Sequence, residues 1–188
     1  MKTAVIDLLN KRYAWRAISP EPVEEEKLEA ILNAAQLSAS CMNKQSWRFM
    51  VLTEPEALAK GREAVAPGNY WAKEAPVLLF GFSKPDLDCA MPDGREYHGF
   101  SLGLAAQNIM LQATELDLVA RPMAGFMPKK VHEAFGIPDE YTVLVCIAIG
   151  YKGELETLNK GHQETSTAPR TRQPLEKNFF RNQFKEEN

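Results

Sequence analysis

Apolar residues along this chain fall into two rhythms, and the rhythms divide it into helices and strands. Residues 142–149 are almost all Val, Leu, Ile, Cys and Ala, which predicts a central strand covered on both faces. Residues 77–82 form a second apolar strand, and residues 47–53 a third. Leu28, Ile31, Leu32 and Ala35 repeat at helical spacing. Pro20 and Pro22 precede that helix and Glu24, Glu25 and Glu26 open it, so it runs to about residue 38. Pro55 opens a short helix to residue 64, and residues 65–70 read as loop. Residues 97–116 are helical and apolar on every side, as in a helix buried in a core. A short strand over 119–123 and a short helix over 128–135 complete the core. Residues 4–12 form a small amphipathic helix that delivers Arg12, and 84–96, with Pro85, Pro92 and Gly94, read as the least ordered part. No internal repeat is visible.

At 188 residues the chain is long enough for one domain with a real core. Its net charge of −3 argues against a general nucleic-acid binder. No apolar stretch is long enough to span a bilayer, and no secretory leader is apparent. The three cysteines, Cys41, Cys89 and Cys146, lie far apart without a C-x-x-C pair. That predicts free thiols in a reducing cytoplasm. There is no metal-binding pattern, and no G-x-G-x-x-G follows a strand.

Two polar segments carry the candidate chemistry. Lys11-Arg12-Tyr13-Ala14-Trp15-Arg16 sets two guanidinium groups four residues apart, a fork suited to phosphate. Ser38-Ala39-Ser40-Cys41-Met42-Asn43-Lys44-Gln45-Ser46-Trp47 is a loop of small hydroxyl and amide groups, suited to a polar chain or the edge of a heterocycle. Each also has an ordinary explanation. Two arginines after a helix are commonly a solvated face, and Ser and Asn serve turns.

Taken together, these segments resemble the nitroreductase family of flavin enzymes. The 39–47 loop is similar to that family's P-S-S-x-N-x-Q-P-W loop. Leu104-Ala105-Ala106-Gln107-Asn108-Ile109-Met110-Leu111 is similar to its central helix. Pro122-Met123-Ala124-Gly125-Phe126 and Ile149-Gly150-Tyr151 follow in the family's order. The resemblance implies an α+β fold with a central, mainly antiparallel mixed sheet flanked by helices, in an intertwined homodimer. It implies one domain over 1–188, in which 152–188 reach over the partner subunit, with Phe179, Phe180 and Phe184 as anchors.

The resemblance also implies FMN as cofactor, with NADH or NADPH as co-substrate and a nitroaromatic, quinone or similar small acceptor. Arg12, with Tyr13 and Ala14 beside it, would meet the phosphate, and Arg16 the ribityl chain or the pyrimidine edge of the ring. One or both of Arg170 and Arg172 would complete the phosphate pocket. Ala39, Ser40, Cys41, Asn43 and Gln45 would face the flavin of the neighbouring subunit. Asn69 would hold the ribityl or ring, and Ala124 and Gly125 would bond the ring through backbone N–H groups. No side chain is assigned a catalytic role. Ala14, Ala39, Cys41 and Ser46 depart from the usual Ser, Pro, Ser and Pro, which keeps open a flavin-binding protein of different chemistry. Gly99-Phe100-Ser101-Leu102-Gly103 spells a hydrolase nucleophile motif, but the polar residues before it cannot form the strand that such an elbow needs.

Overall fold

A computed structural model describes residues 4–184. Four strands form one sheet: β1 (Arg48–Leu52), β2 (Val77–Ser83), β3 (Val119–Met123) and β4 (Thr142–Gly150). Their order is β1-β2-β4-β3, and every described pairing is antiparallel. β2 and β4 are the inner strands, and β4, like β2, is apolar enough to be covered on both faces. Cys146, Ile147, Ala148 and Ile149 are fully buried there.

Among the described residues six α-helices accompany the sheet: α1 (Asp7–Lys11), α2 (Glu25–Gln36), α3 (Pro55–Ala64), α4 (His98–Glu115), α5 (Pro128–Phe135) and α6 (Lys160–Thr167). α4 buries Leu102, Ala105, Ala106, Ile109 and Ala113 against α2 and one face of the sheet. The second core, on the other face, contains Phe80, Trp71, Val131 and Cys146. The α+β class and the antiparallel character of the sheet are as expected, and strand and helix limits differ from expectation by only a few residues.

Three features differ from the sequence reading. The expected loop at 65–70 is replaced from Pro67 on by a 3₁₀ helix, Pro67–Glu74, that buries Trp71. The 84–96 segment is tethered, because Asp88 is buried and Cys89 is disulfide-bonded to Cys41. The tail contains α6, whose start is capped by the Asn159 side chain accepting from the His162 N–H at 2.9 Å. No helix among the described residues is long and apolar enough to cross a membrane.

Residues 12–19 run beside the chain that leaves β4. The Ser19 N–H donates to Tyr151 O at 2.8 Å and the Gly153 N–H to Ala17 O at 2.7 Å. This pairing fixes Arg12 and Arg16 next to the sheet. α6 then packs back on them, with Arg16 Nη1 donating to Thr165 Oγ1 at 3.0 Å.

Candidate functional site

Five arginines converge on one cavity of about 260 Å³: Arg12, Arg16, Arg121, Arg170 and Arg172, with Tyr13, Ala14, Thr165 and Thr171. The N-terminal segment supplies two, β3 supplies one, and the chain after α6 supplies two. No carboxylate lines this cavity, and none of the five forms an ion pair among the described residues. Burial pushes the Arg12 pKa down, and Arg170 and Arg172 push it further. Arg121 is lowered to about 10, first by burial and then by Arg16 and Arg12. Cations that repel one another, with no acid to balance them, mark a place where an anion belongs.

The cavity is held by hydrogen bonds that leave its charges free. Arg170 donates to the carbonyls of Leu9 and Asn10 at 3.3 and 3.1 Å, and also to that of Arg12. These carbonyls lie at the end of α1, where a cation is favourable. The Tyr13 hydroxyl donates to Ala168 O at 2.7 Å, and the Arg170 guanidinium lies 5.5 Å from the Tyr13 ring centre. Arg172 Nη1 reaches only the neighbouring Thr171 O.

Asn69 and Gly125 meet just beyond the end of β3, the strand that carries Arg121. Asn69 Nδ2 donates to Gly125 O at 2.9 Å. A Cβ on residue 125 would lie 2.4 Å from that nitrogen, so any larger residue here must push the Asn69 amide aside. The Gly125 N–H has no acceptor among the described residues and stays available to a ligand. Ala124, beside it, is exposed.

The 39–45 loop is elsewhere. Gln45 lines a different cavity, with Leu32, Gln36, Trp47 and Arg48. The loop turns tightly, with Met42, Asn43 and Gln45 in left-handed backbone at φ 47°, 57° and 49°. Ser40 Oγ accepts from the Gln45 N–H at 3.0 Å, and Asn108 Nδ2 holds the loop's base through Ser38 Oγ at 2.8 Å. The expected site residues therefore form separate groups within one chain. Asn69 and Gly125 bond each other beyond the end of β3, and Arg12, Tyr13, Ala14, Arg16, Arg170 and Arg172 share the cationic cavity. Ala39, Ser40, Cys41, Asn43 and Gln45 do not.

Cys41 and Cys89 are joined in a disulfide with Cα atoms 6.0 Å apart, and only Cys146 is free. This corrects the expectation of free thiols and removes the argument for a reducing compartment that rested on it. Beside the bridge, burial raises the Asp88 carboxyl, but the Ser46 hydroxyl at 2.5 Å and the Cys89 N–H at 2.8 Å help to pull it below its ordinary value. Cys146 is pushed up to about 12 by burial and stays a thiol.

Sequence reasoning missed Arg121, which only the fold brings beside Arg12 and Arg16. The hydrolase motif has no support. Ser101 is fully buried inside α4, with no strand before it.

An α+β fold with an arginine cavity that no acid lines among the described residues suits a phosphorylated ligand. The comparisons agree. The nitroreductase family profile matches residues 9–69 and 59–151, and the chain belongs to the nitroreductase family. It is similar over its whole length to a solved structure described as an oxidoreductase containing FMN. The TM-score is 0.89 and the identity 30%, over 100% of this chain and 96% of the other. It is 28% identical to the NADH dehydrogenase of Thermus thermophilus, over 81% of this chain and 87% of that protein. It is 25% identical to the oxygen-insensitive NAD(P)H nitroreductase of Salmonella typhimurium, over 92% and 96% respectively.

Proposed function

We propose that this protein is an FMN-dependent oxidoreductase that takes reducing equivalents from NADH or NADPH and passes them to a small oxidised acceptor. A nitroaromatic or quinone is the acceptor class the family suggests. The observation that carries the reading is the cavity of five arginines without an acid, which suits a phosphate dianion. Bound FMN would supply the hydride chemistry, accepting from the nicotinamide and giving to the acceptor in turn.

The chain's own residues would bind and orient. Arg12, Arg170 and Arg172 would hold the phosphate, and Arg16 would add positive charge near the ribityl chain or ring edge. Asn69 would keep Gly125 in place, so that its free N–H and that of Ala124 can meet the ring. No side chain is needed to deliver a proton at the hydride site, because water can supply it. The departures at Ala14, Ala39, Cys41 and Ser46 favour a second reading, a flavin-binding protein of the same fold with different chemistry. Turnover of NADH or NADPH separates the two.

The 39–45 loop lies apart from the arginines in one chain, so we propose that it completes the site of a second copy. Leu175, Phe179, Phe180 and Phe184 are 71%, 69%, 42% and 69% exposed in the single chain, which supports a tail that packs on that copy. One pair of variants tests the phosphate assignment. Arg12→Ala and Arg172→Ala should each weaken FMN by about 1.5–3 kcal/mol, the range for hydrogen bonds to charged groups, and leave riboflavin nearly unchanged. Equal losses for both ligands would place these residues in folding or ring contact instead.

A further inference from the structure

Arg121 is the one member of the cationic cavity that comes from the sheet. Its strand, β3, is paired to β4 from Val119 to Met123, so its backbone is fixed. The guanidinium lies 5.2 Å from the ring centre of Trp71, which is itself buried. Nη1 donates to the Ala14 carbonyl at 2.5 Å, and Nε is buried with no acceptor. No acid pairs with it among the described residues, and Arg16 and Arg12 repel it.

A cation held this way is costly to the empty protein. Desolvation is not offset by an ion pair, and two neighbours of like charge add to the cost. Packing on Trp71 explains how the group is held but not why it is charged. A neutral side chain of similar shape would pack there without the penalty. Its position at Ala14 gives the reason. In the 12–16 segment, Ala14 is the position whose side chain offers no hydrogen-bond donor, and Arg121 lines the same cavity in direct contact with its carbonyl.

We infer that Arg121 is a binding residue of the anion site, where it supplies the charged donor that Ala14 lacks. The inference rests on the FMN reading above. The ligand feature it recognises is the phosphate end, not the ring. Because β3 and Trp71 fix the guanidinium before any ligand arrives, little ordering cost falls on binding. Arg121 and a hydroxyl at position 14 are then alternatives for the same contact.

Titration of the flavin-depleted full-length chain with FMN and with riboflavin, followed by flavin fluorescence, tests this. Arg121→Gln should raise the FMN Kd by about tenfold to a hundredfold, the size of one charge-assisted hydrogen bond, and move riboflavin less than about threefold. The dependence of FMN affinity on salt should become shallower. Ala14→Ser should recover a large part of the loss in the Arg121→Gln background, a larger gain than it gives the parent. That non-additivity is the mark of a shared contact. If Arg121→Gln does not fold, as judged by circular dichroism, Arg121→Lys carries the test, and it should keep most of the preference for FMN over riboflavin. Equal losses for the two ligands, or an Ala14→Ser effect that is the same in both backgrounds, would make Arg121 a packing residue and overturn the inference. A parent that binds neither ligand would overturn the FMN reading along with it, whereas a parent and Arg121→Gln that bind FMN equally would overturn only the role of Arg121.

Discussion

Replacing Cys89 by serine removes the tether between the 39–45 loop and the segment after β2. The bridge spans a sequence separation of 48 residues. Closing a loop of that length restricts the unfolded chain by about 4 kcal/mol in the chain-entropy relation. The folded state has further reason to lose stability. Met42, Asn43 and Gln45 occupy left-handed backbone next to Cys41, at a cost of order 1 kcal/mol each for residues other than glycine. The surrounding Ser46–Asp88 and Gln45–Ser40 hydrogen bonds remain and soften the loss. We therefore expect Cys89→Ser to destabilise by about 2–4 kcal/mol, or a fall in Tm of roughly 5–15 °C for a chain of this size. Urea unfolding followed by circular dichroism, with and without dithiothreitol, measures it. Dithiothreitol should lower the parent to the level of the variant and leave the variant unmoved. A variant as stable as the parent, or one that dithiothreitol weakens equally, would refute the reasoning.

Thiol counting by a chromogenic disulfide should find almost no reactive group in the native, unreduced protein, because Cys146 is buried with its pKa pushed up to about 12. Denaturant alone should expose that single thiol, and denaturant with prior reduction all three cysteines of the chain. Glu24 is held down at about 2, first by the Tyr151 hydroxyl at 2.5 Å and also by Lys27 at 3.0 Å. A carboxyl with a depressed folded pKa adds stability above its unfolded value of about 4.5 and loses it as pH falls towards 2. Stability curves of the parent and Glu24→Gln should therefore differ at pH 6 and converge near pH 2. A constant gap down to pH 2 would show that charge is not what Glu24 contributes. Gly125→Ala should cost about 1–3 kcal/mol, because the new methyl must displace Asn69 Nδ2 from its bond to residue 125. An alanine variant as stable as the parent in thermal melts would mean that Asn69 can move aside freely.

Much of this fold was legible because composition and period agreed. The apolar run of β4 and the all-round apolar surface of α4 could only be interior elements. α6 escaped because its sequence, Lys160-Gly161-His162-Gln163-Glu164-Thr165-Ser166-Thr167, has no apolar stripe. Its signal was the cap residue Asn159. The disulfide escaped because pairing depends on Cα separation in space, and two cysteines 48 positions apart carry no sign of that distance. In the site, Arg12, Arg16, Arg170 and Arg172 were visible as basic pairs in motifs. Arg121 was not, since a lone arginine in a short strand looks like an ordinary edge residue until Trp71 and Ala14 are brought to it.

The central claim is that the acid-free arginine cavity holds the phosphate of FMN. The most direct measurement is the visible spectrum of the purified protein, with the released flavin identified after denaturation. The account predicts a yellow protein that releases FMN, or an apoprotein that takes up FMN more tightly than riboflavin. A colourless protein that binds no added FMN, or one that binds riboflavin as tightly as FMN, would contradict it.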